Sequence, residues 1–385
     1  MGEKDRAIVV GVNCYPDPDL GDLKGPEDDA TAFYDWLRSA DGGNVPETQI
    51  RKILTSDFKD KMPFPSVVDA QPTTIAVQGE FIRLDQLVKQ SRAAGNGPQI
   101  GDRLYIYMAG HGFAPSADEA ALVMANAIYK TTLNYHVLGK YSSELFLNVG
   151  AFKEILLFMD CCRLRDVTTY PNKFYGMTPD YDQEAAKTVK AMHVFAAGFG
   201  YVTRETQAAQ GGRGIFTKAL LEGLKVATDE EGRVTTRTLA DHLYNQMKKF
   251  MSDADLENQT VSAEPSIFPY PQFPPQASEF VITTIKAKPQ GVLERIGQIL
   301  TGPKVQAPNF PVVIQIPSSL QGKSLDLLDG KLQPVANIAK ASAEWKLELA
   351  RGKYIVRSDG TFVDPTIKVG GIEEGGVLNV SLSAE

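Results

Sequence analysis

The chain has 385 residues, 43% of them hydrophobic, enough for at least one full core and a second domain. A net charge of −7 with no dominant basic stripe excludes a protein built to hold nucleic acid by its phosphates. Three cysteines, two of them adjacent (Cys14, Cys161 and Cys162), exclude a disulfide framework and fit a reducing cytoplasm. No apolar run nears the roughly 18 residues of a membrane helix or has signal-peptide form, so neither membrane nor export is expected.

Ala7 to Val12 is a β-branched, nearly continuous apolar run, the pattern of a strand covered on both faces of a parallel sheet. Pro16, Asp17, Pro18 and Gly21 break the chain, and Ala30, Phe33, Trp36 and Leu37 predict a helix starting near Pro26. Ile50, Ile53 and Leu54 mark a second strand. After a polar loop over 57–72, Thr74 is the expected cap of a helix carrying Phe81, Leu84, Leu87 and Val88.

Arg103 to Met108 is the third strand and runs into Ala109-Gly110-His111-Gly112, where glycines on both sides let the backbone turn and leave the imidazole uncovered. Ala121 to Met124 reads as a short strand and 141–153 as a helix. Glu154-Ile155-Leu156-Leu157-Phe158-Met159 is a fourth strand, ending on Asp160-Cys161-Cys162-Arg163. The polar stretch 164–190 reads as a mobile loop. Met192 to Gly198 is a buried strand, 210–214 a glycine-rich loop, and two helices follow, with Phe216, Ala219, Leu220 and Leu224 on one and Leu239, Leu243 and Met247 on the other, over 238–251.

Strands alternating with helices to about residue 255 describe an α/β sandwich around a mainly parallel open sheet. Pro265, Pro269, Pro271, Pro274 and Pro275 then favour an extended spacer, followed by an amphipathic stretch with Val292, Leu293, Ile296, Ile299 and Leu300. Strand signals at Val312 to Ile316, at Trp345, Leu347 and Leu349, at Tyr354 and Val356, and from Val377 to Leu382 suggest a small β-sandwich. The expected organisation is a first domain over 1–263, a linker over 264–306 and a second domain over 307–385.

In open α/β sheets reactive groups gather beyond the carboxyl ends of the strands, so His111 and the Asp160-Cys161-Cys162 turn belong at one edge. A cysteine nucleophile needs a base, and an imidazole is the usual one; His111 with Cys161 or Cys162 meets that need. The alternative is two inert buried thiols and a Gly-His-Gly that arose by chance.

Ala109-Gly110-His111-Gly112 after a strand, about 50 residues before Asp160-Cys161-Cys162 at the end of the next major strand, resembles the caspase-like cysteine proteases: caspases, metacaspases, orthocaspases and their bacterial relatives. The resemblance spans about residues 6 to 250 and implies a caspase-like α/β/α sandwich. It implies that Cys162, third in Asp-x-Cys, is the nucleophile, with His111 its partner and Cys161 a spectator. The backbone N–H groups of Gly112 and Cys162 would then hold the oxyanion. Gly214, Phe216 and Thr217 resemble the family's small-subunit region. Leu23-Lys24-Gly25-Pro26-Glu27-Asp28-Asp29-Ala30 resembles the metacaspase segment Leu-x-Gly-Cys-x-Asn-Asp-Ala. That match puts Asp29, with Asp160, in a pocket for an arginine or lysine before the scissile bond. The alternative for Asp29 is a first-turn acid serving its own helix dipole.

Two departures stand out. Pro26 replaces a metacaspase cysteine, and Arg163-Leu164-Arg165 lacks the His-Ser-Gly that commonly follows the nucleophile. A basic preference would make Arg163, Arg165, Lys173, Lys187 and Lys190 candidate sites of self-cleavage or of cleavage by an upstream protease. Asp17, Asp19 and Asp22 read as turn acids, with calcium, which some metacaspases bind, as the alternative; no other cofactor is expected. His136, His193 and His242 show no metal-ligand spacing. The expected partners are protein substrates and an activating protease or regulator, with bacterial defence or cell death as the setting by analogy. The rival is a catalytically inactive binding or adaptor protein on the same scaffold. A nucleotide-binding domain is disfavoured, since no Gly-x-Gly-x-x-Gly or phosphate loop follows a strand.

Overall fold

A computed structural model describes residues 2–61, 64–129, 135–164, 181–202, 214–250, 265–270, 279–285, 309–329, 334–350, 352–359, 361–369 and 378–382. The chain divides into two compact units, Met1–Ile285 and Lys286–Glu385. The first unit opens with β1 (Arg6–Gly11), α1 (Pro26–Arg38), β2 (Ile50–Leu54), α2 (Thr74–Ala93) and β3 (Arg103–Ala109). Three short strands follow, β4 (Gly112–Phe113), β5 (Ala121–Val123) and β6 (His136–Leu138), then α3 (Gly139–Val149) and β7 (Glu154–Asp160). It closes with α4 (Gln183–Ala186), β8 (Lys190–Phe195), α5 (Ile215–Val226), β9 (Arg233–Thr235), α6 (Thr236–Gln246), β10 (Ser266–Tyr270) and β11 (Val281–Thr284).

The central sheet runs β10-β8-β7-β3-β1-β2, all parallel except β10 at the edge. The expected α/β sandwich is thus present. Its two cores follow from the period of two along each strand. On β3 and β7, Leu104, Ile106, Met108, Ile155, Leu157 and Met159 face the core that α2 and α3 close with Val77, Phe81 and Phe146. Tyr105, Tyr107, Leu156 and Phe158 face the opposite core, closed by Ala30, Phe33, Trp36 and Leu37 of α1 and by Phe216 and Leu220 of α5. Continued one step, that alternation aims Asp160 at the α1/α5 face and Cys161 at the other. Pro26 starts α1 at a position where a missing N–H costs nothing, and Glu27, Asp28 and Asp29 follow in its first turn.

Several boundaries move for local reasons. Thr73 rather than Thr74 is the N-cap of α2. The helix expected over 141–153 ends at Val149, because Gly150 turns left-handed with φ +67°. The helix expected over 238–251 starts at Thr236, since the Thr235 side chain accepts the Thr238 N–H and closes a capping box. The spacer reading gives way to two strands of the first unit. β10 carries Pro269, which a sheet accepts because the strand lies at its edge. β11 pairs with β9, and its Val281 and Ile282 carbonyls accept from the Arg103 guanidinium. The amphipathic stretch 292–300 lies outside the described residues.

The second unit holds β12 (Asn309–Gln315), β13 (Leu325–Asp329), β14 (Pro334–Ile338), β15 (Glu344–Ala350), β16 (Gly352–Ser358), β17 (Thr361–Val369) and β18 (Leu378–Ser381). They form two sheets, β15-β12-β18 and β14-β13-β16-β17. Val312, Ile314 and Trp345 of one sheet share a core with Leu325, Leu327, Val356 and Ile367 of the other, as a sandwich requires. Among the described residues, no helix is long and apolar enough to cross a membrane.

Candidate active site

Parallel pairing of β3 with β7 sets Ala109 opposite Asp160, so the two strands leave the sheet at one level. That register brings His111 and Cys162, each two residues further on, to the same edge. His111 is half-buried and held by its main chain: its N–H donates to the Tyr15 hydroxyl at 3.0 Å and its C=O accepts from Val123 N–H at 2.8 Å. The Tyr15 hydroxyl in turn donates to the Val123 carbonyl at 3.2 Å, and its ring meets the imidazole edge-on at 4.6 Å. Nε2 of His111 lies 3.0 Å from the Gly21 carbonyl, which can only accept, so Nε2 carries a proton there.

The flanking glycines serve close approach more than exposure. A Cβ on Gly110 would stand 2.5 Å from the Tyr15 hydroxyl, and one on Gly112 would stand 2.6 Å from Cβ and Sγ of Cys161.

The two thiols part company by strand parity. Cys161 is fully buried with Sγ 3.9 Å from the Ala121 carbonyl, and burial pushes its pKa well above the usual thiol range. Cys162 is half-buried and lines a cavity. Cys14 is half-buried as well, its pKa raised to about 11 by burial first and by nearby Asp22 second.

That cavity, about 400 Å³, is lined by Leu23, Pro26, Asp29, Ala109, Gly110, His111, Asp160, Cys162, Val202 and Gly214. It therefore gathers the thiol, the imidazole and both carboxylates chosen from the sequence. Asp29 and Asp160 are 2% and 7% exposed, so both are acids of the interior rather than of the surface. Asp29 does not only serve its own helix: its Oδ2 accepts the N–H of Gly214, the N-cap of α5, at 2.7 Å. Asp160 Oδ2 accepts the Thr217 hydroxyl at 2.6 Å, and Thr217 Oγ1 lies 2.5 Å from the Tyr107 hydroxyl. Tyr15, Gly21 and Tyr107 escaped the sequence reading; nothing in an isolated tyrosine or loop glycine signals that it supports a histidine or an acid across the fold.

The processing candidates divide. Arg163 is fully buried, against the expectation of an exposed cleavage site. Its guanidinium donates to the carbonyls of Ala117, Glu119 and Ala197 at 2.5–3.3 Å and lies 4.5 Å from the Phe195 ring centre. Lys190 opens β8 inside the central sheet, its N–H bound to the Lys153 carbonyl, so its main chain is not presented for cleavage either. Lys187 is exposed, paired with Glu184 at 2.6 Å. Arg165 and Lys173 lie outside the described residues.

The remaining candidates have structural partners. Asp17 and Asp22 accept backbone N–H groups of Asp19 at 2.9 Å and Tyr15 at 2.7 Å, as turn acids do. His136 packs edge-on to Phe113 at 5.0 Å, and His193 meets the Ser143 hydroxyl at 2.9 Å, its pKa lowered by burial to about 3. His242 is half-buried. Among the described residues, no three or more His, Cys, Asp or Glu side chains are grouped as metal ligands.

No family model matches the chain. The chain is similar to a probable protease of a Desulfuromonadales bacterium. The two are 28% identical over 230 residues, 57% of this chain and 26% of that protein, so this chain spans about a quarter of its relative's length. Among solved structures it is similar to caspase-1 from Spodoptera frugiperda, with a TM-score of 0.41 and 12% identity over 69% of this chain and 86% of that one. A protein from Geobacter sulfurreducens is similar with a TM-score of 0.39 and 14% identity, over 74% of this chain and 98% of that one.

Proposed function

We propose that the chain is a caspase-like cysteine endopeptidase that cleaves proteins after arginine or lysine, with His111 and Cys162 as its dyad. The observation that carries this is one cavity in which a half-buried thiol, an imidazole oriented by the Gly21 carbonyl, and two buried carboxylates converge. The similarity to a probable protease supports the same class.

In this mechanism His111 Nδ1 takes the Cys162 proton and the thiolate attacks the carbonyl carbon. The N–H groups of Gly112 and Cys162 receive the oxyanion. The tetrahedral intermediate collapses, the C–N bond breaks, and the imidazolium returns its proton to the leaving amine. Water, deprotonated by His111, then attacks the thioester and releases the acid and the thiol. The Gly21 carbonyl keeps the imidazole in the tautomer this sequence needs. Asp29 and Asp160 take the basic side chain before the scissile bond. We place the enzyme in the cytoplasm on its cysteine usage, in regulated proteolysis of the defence or cell-death kind, with exposed Lys187 the processing site favoured among the described residues.

The test is cleavage of fluorogenic peptides ending in Arg, Lys or Asp by wild type, Cys162→Ala and Cys161→Ala. Wild type and Cys161→Ala are expected to cut the basic peptides, and Cys162→Ala to lose at least about a thousandfold in kcat. Cleavage after Asp alone would overturn the pocket and spare the dyad. No cleavage by wild type, before or after limited proteolysis, would favour the inactive binding protein.

A further inference from the structure

The first turn of α5 holds both acids of the cavity. Gly214 donates its N–H to Asp29 Oδ2 at 2.7 Å, and Thr217, three residues on, donates its hydroxyl to Asp160 Oδ2 at 2.6 Å. A threonine hydroxyl has one proton, and here the carboxylate receives it, so at the 2.5 Å contact with Tyr107 the phenol is the donor. The result is a one-way chain from Tyr107 on β3 through Thr217 to Asp160, with Tyr107 and Thr217 both fully buried. Burial, with Asp160 and Asp29 nearby, holds the Tyr107 phenol in its protonated, donating form. Gly214 stands where both acids converge: a Cβ there would lie 2.6 Å from Asp160 Oδ2 and 2.9 Å from Asp29 Oδ2.

We propose that Thr217, backed by Tyr107, is the positioning residue of the basic-residue pocket, and that Gly214 keeps open the space between Asp29 and Asp160 which the substrate's side chain enters. This rests on the peptidase reading above and adds what sets its selectivity. Thr217 fixes the plane of the Asp160 carboxylate by holding Oδ2, and a planar guanidinium fork, which pairs with a carboxylate in its plane, gains most from a fixed plane. A lysine ammonium is a rotatable point donor and gains far less from a carboxylate that is locked. Loss of the Thr217 hydroxyl therefore weakens arginine more than lysine, whereas simple loss of packing would weaken both alike.

The experiment uses the full chain and two peptides that differ only in Arg or Lys before the scissile bond. Thr217→Val keeps the shape and removes the donor. It is expected to raise KM for the arginine peptide about tenfold, leave kcat within about twofold, and lower the arginine-to-lysine ratio of kcat/KM by a similar factor. Thr217→Ser should recover most of that ratio, and Tyr107→Phe should shift it the same way by less. Gly214→Ala should cut arginine cleavage at least about tenfold by filling the gap. An unchanged ratio in Thr217→Val, or equal losses on both peptides in the Val and Ser variants, overturns the proposal. Should Thr217→Val fail to fold, Tyr107→Phe decides, and an unchanged ratio there overturns it too. A wild type that cuts neither peptide brings down the peptidase reading itself, an outcome distinct from a wild type that cuts both while its variants match it.

Discussion

Glu119 accepts three backbone N–H groups, those of Ala120, Lys140 and Tyr141, each at 2.8 Å, and so closes the N-terminus of α3 from outside the helix. Its own carbonyl receives Nε and Nη2 of Arg163, the residue after the proposed nucleophile, so one residue ties α3 to the exit of β7. Burial outweighs those N–H donors and raises its pKa from 4.5 to about 7. The carboxyl group thus holds its proton more tightly in the folded chain. Its contribution to stability is complete below pH 4.5 and is lost as pH rises through about 7. His193, lowered from 6.5 to about 3, has the opposite sign: its contribution is present above pH 6.5 and lost as pH falls. Comparing wild type with Glu119→Gln removes the histidine from the difference. Urea unfolding at about pH 5 and about pH 8 should show wild type losing roughly 2 kcal/mol more than the variant between the two. Equal losses would mean that Glu119 is ionised in the fold throughout.

At the level of elements, β3 and β7 were legible because a fully buried parallel strand is an uninterrupted apolar run, and the reactive residues are contiguous with those runs. His111, Asp160 and the cysteine pair could be singled out for that reason, while the choice of Cys162 over Cys161 rests on the resemblance of Asp160-Cys161-Cys162 to the caspase-like proteases. Support that crosses the fold was not legible. Tyr107 reaches Thr217 only through packing of β3 beneath α5, and the spacing along the chain of two such residues carries no trace of it. Arg163 looked like a solvated cation by residue type, and only the three carbonyls around it explain its burial. β10 was hidden by Pro269 and the prolines on either side of it, and an edge strand accepts Pro269. In the second unit β13, β14 and β17 carry Asp326 and Asp329, Pro334 and Asn337, and Asp364 and Pro365, residue types that strands disfavour. Glycine shows the same dependence on context. Gly79 in α2 has nothing within 4 Å of where a Cβ would sit, so Gly79→Ala should stabilise the chain by up to about 1 kcal/mol and leave cleavage unchanged. Gly112 in β4 would drive a Cβ to 2.6 Å from Cys161 and 2.8 Å from the Ala121 carbonyl. Gly112→Ala should therefore cost about 2 kcal/mol and, by displacing the neighbour of His111, lower kcat/KM at least about tenfold. Thermal melting and peptide cleavage on both variants check the pair; a harmless Gly112→Ala would mean that β4 shifts away from Cys161 without moving His111.

Over the whole chain, the place where the first unit ends decides what can be removed from it. Residues 266–270 and 281–284 belong to the first unit: β10 covers the edge of β8, and β11 pairs with β9. Arg103 makes the dependence sharper. The residue is 6% exposed, and its guanidinium donates to the Tyr105 hydroxyl, to Glu154, and to the Val281 and Ile282 carbonyls. A chain ended after residue 263 loses those two acceptors and leaves part of a buried cation without partners, at about 1–3 kcal/mol for each group left unsatisfied. It also bares the edge of β8, which invites pairing with another copy. A chain ended after Ile285 keeps all of these contacts, and the core of the second unit is drawn from residues beyond that point. We therefore expect the 1–285 chain to be monodisperse on size exclusion, to melt cooperatively and to retain the peptide cleavage proposed for the full chain. The 1–263 chain should melt at least about 10 °C lower or aggregate. Equal behaviour of the two truncations would show that β10 and β11 contribute nothing to the first unit, and loss of cleavage by a well-folded 1–285 chain would place part of the enzyme in the second.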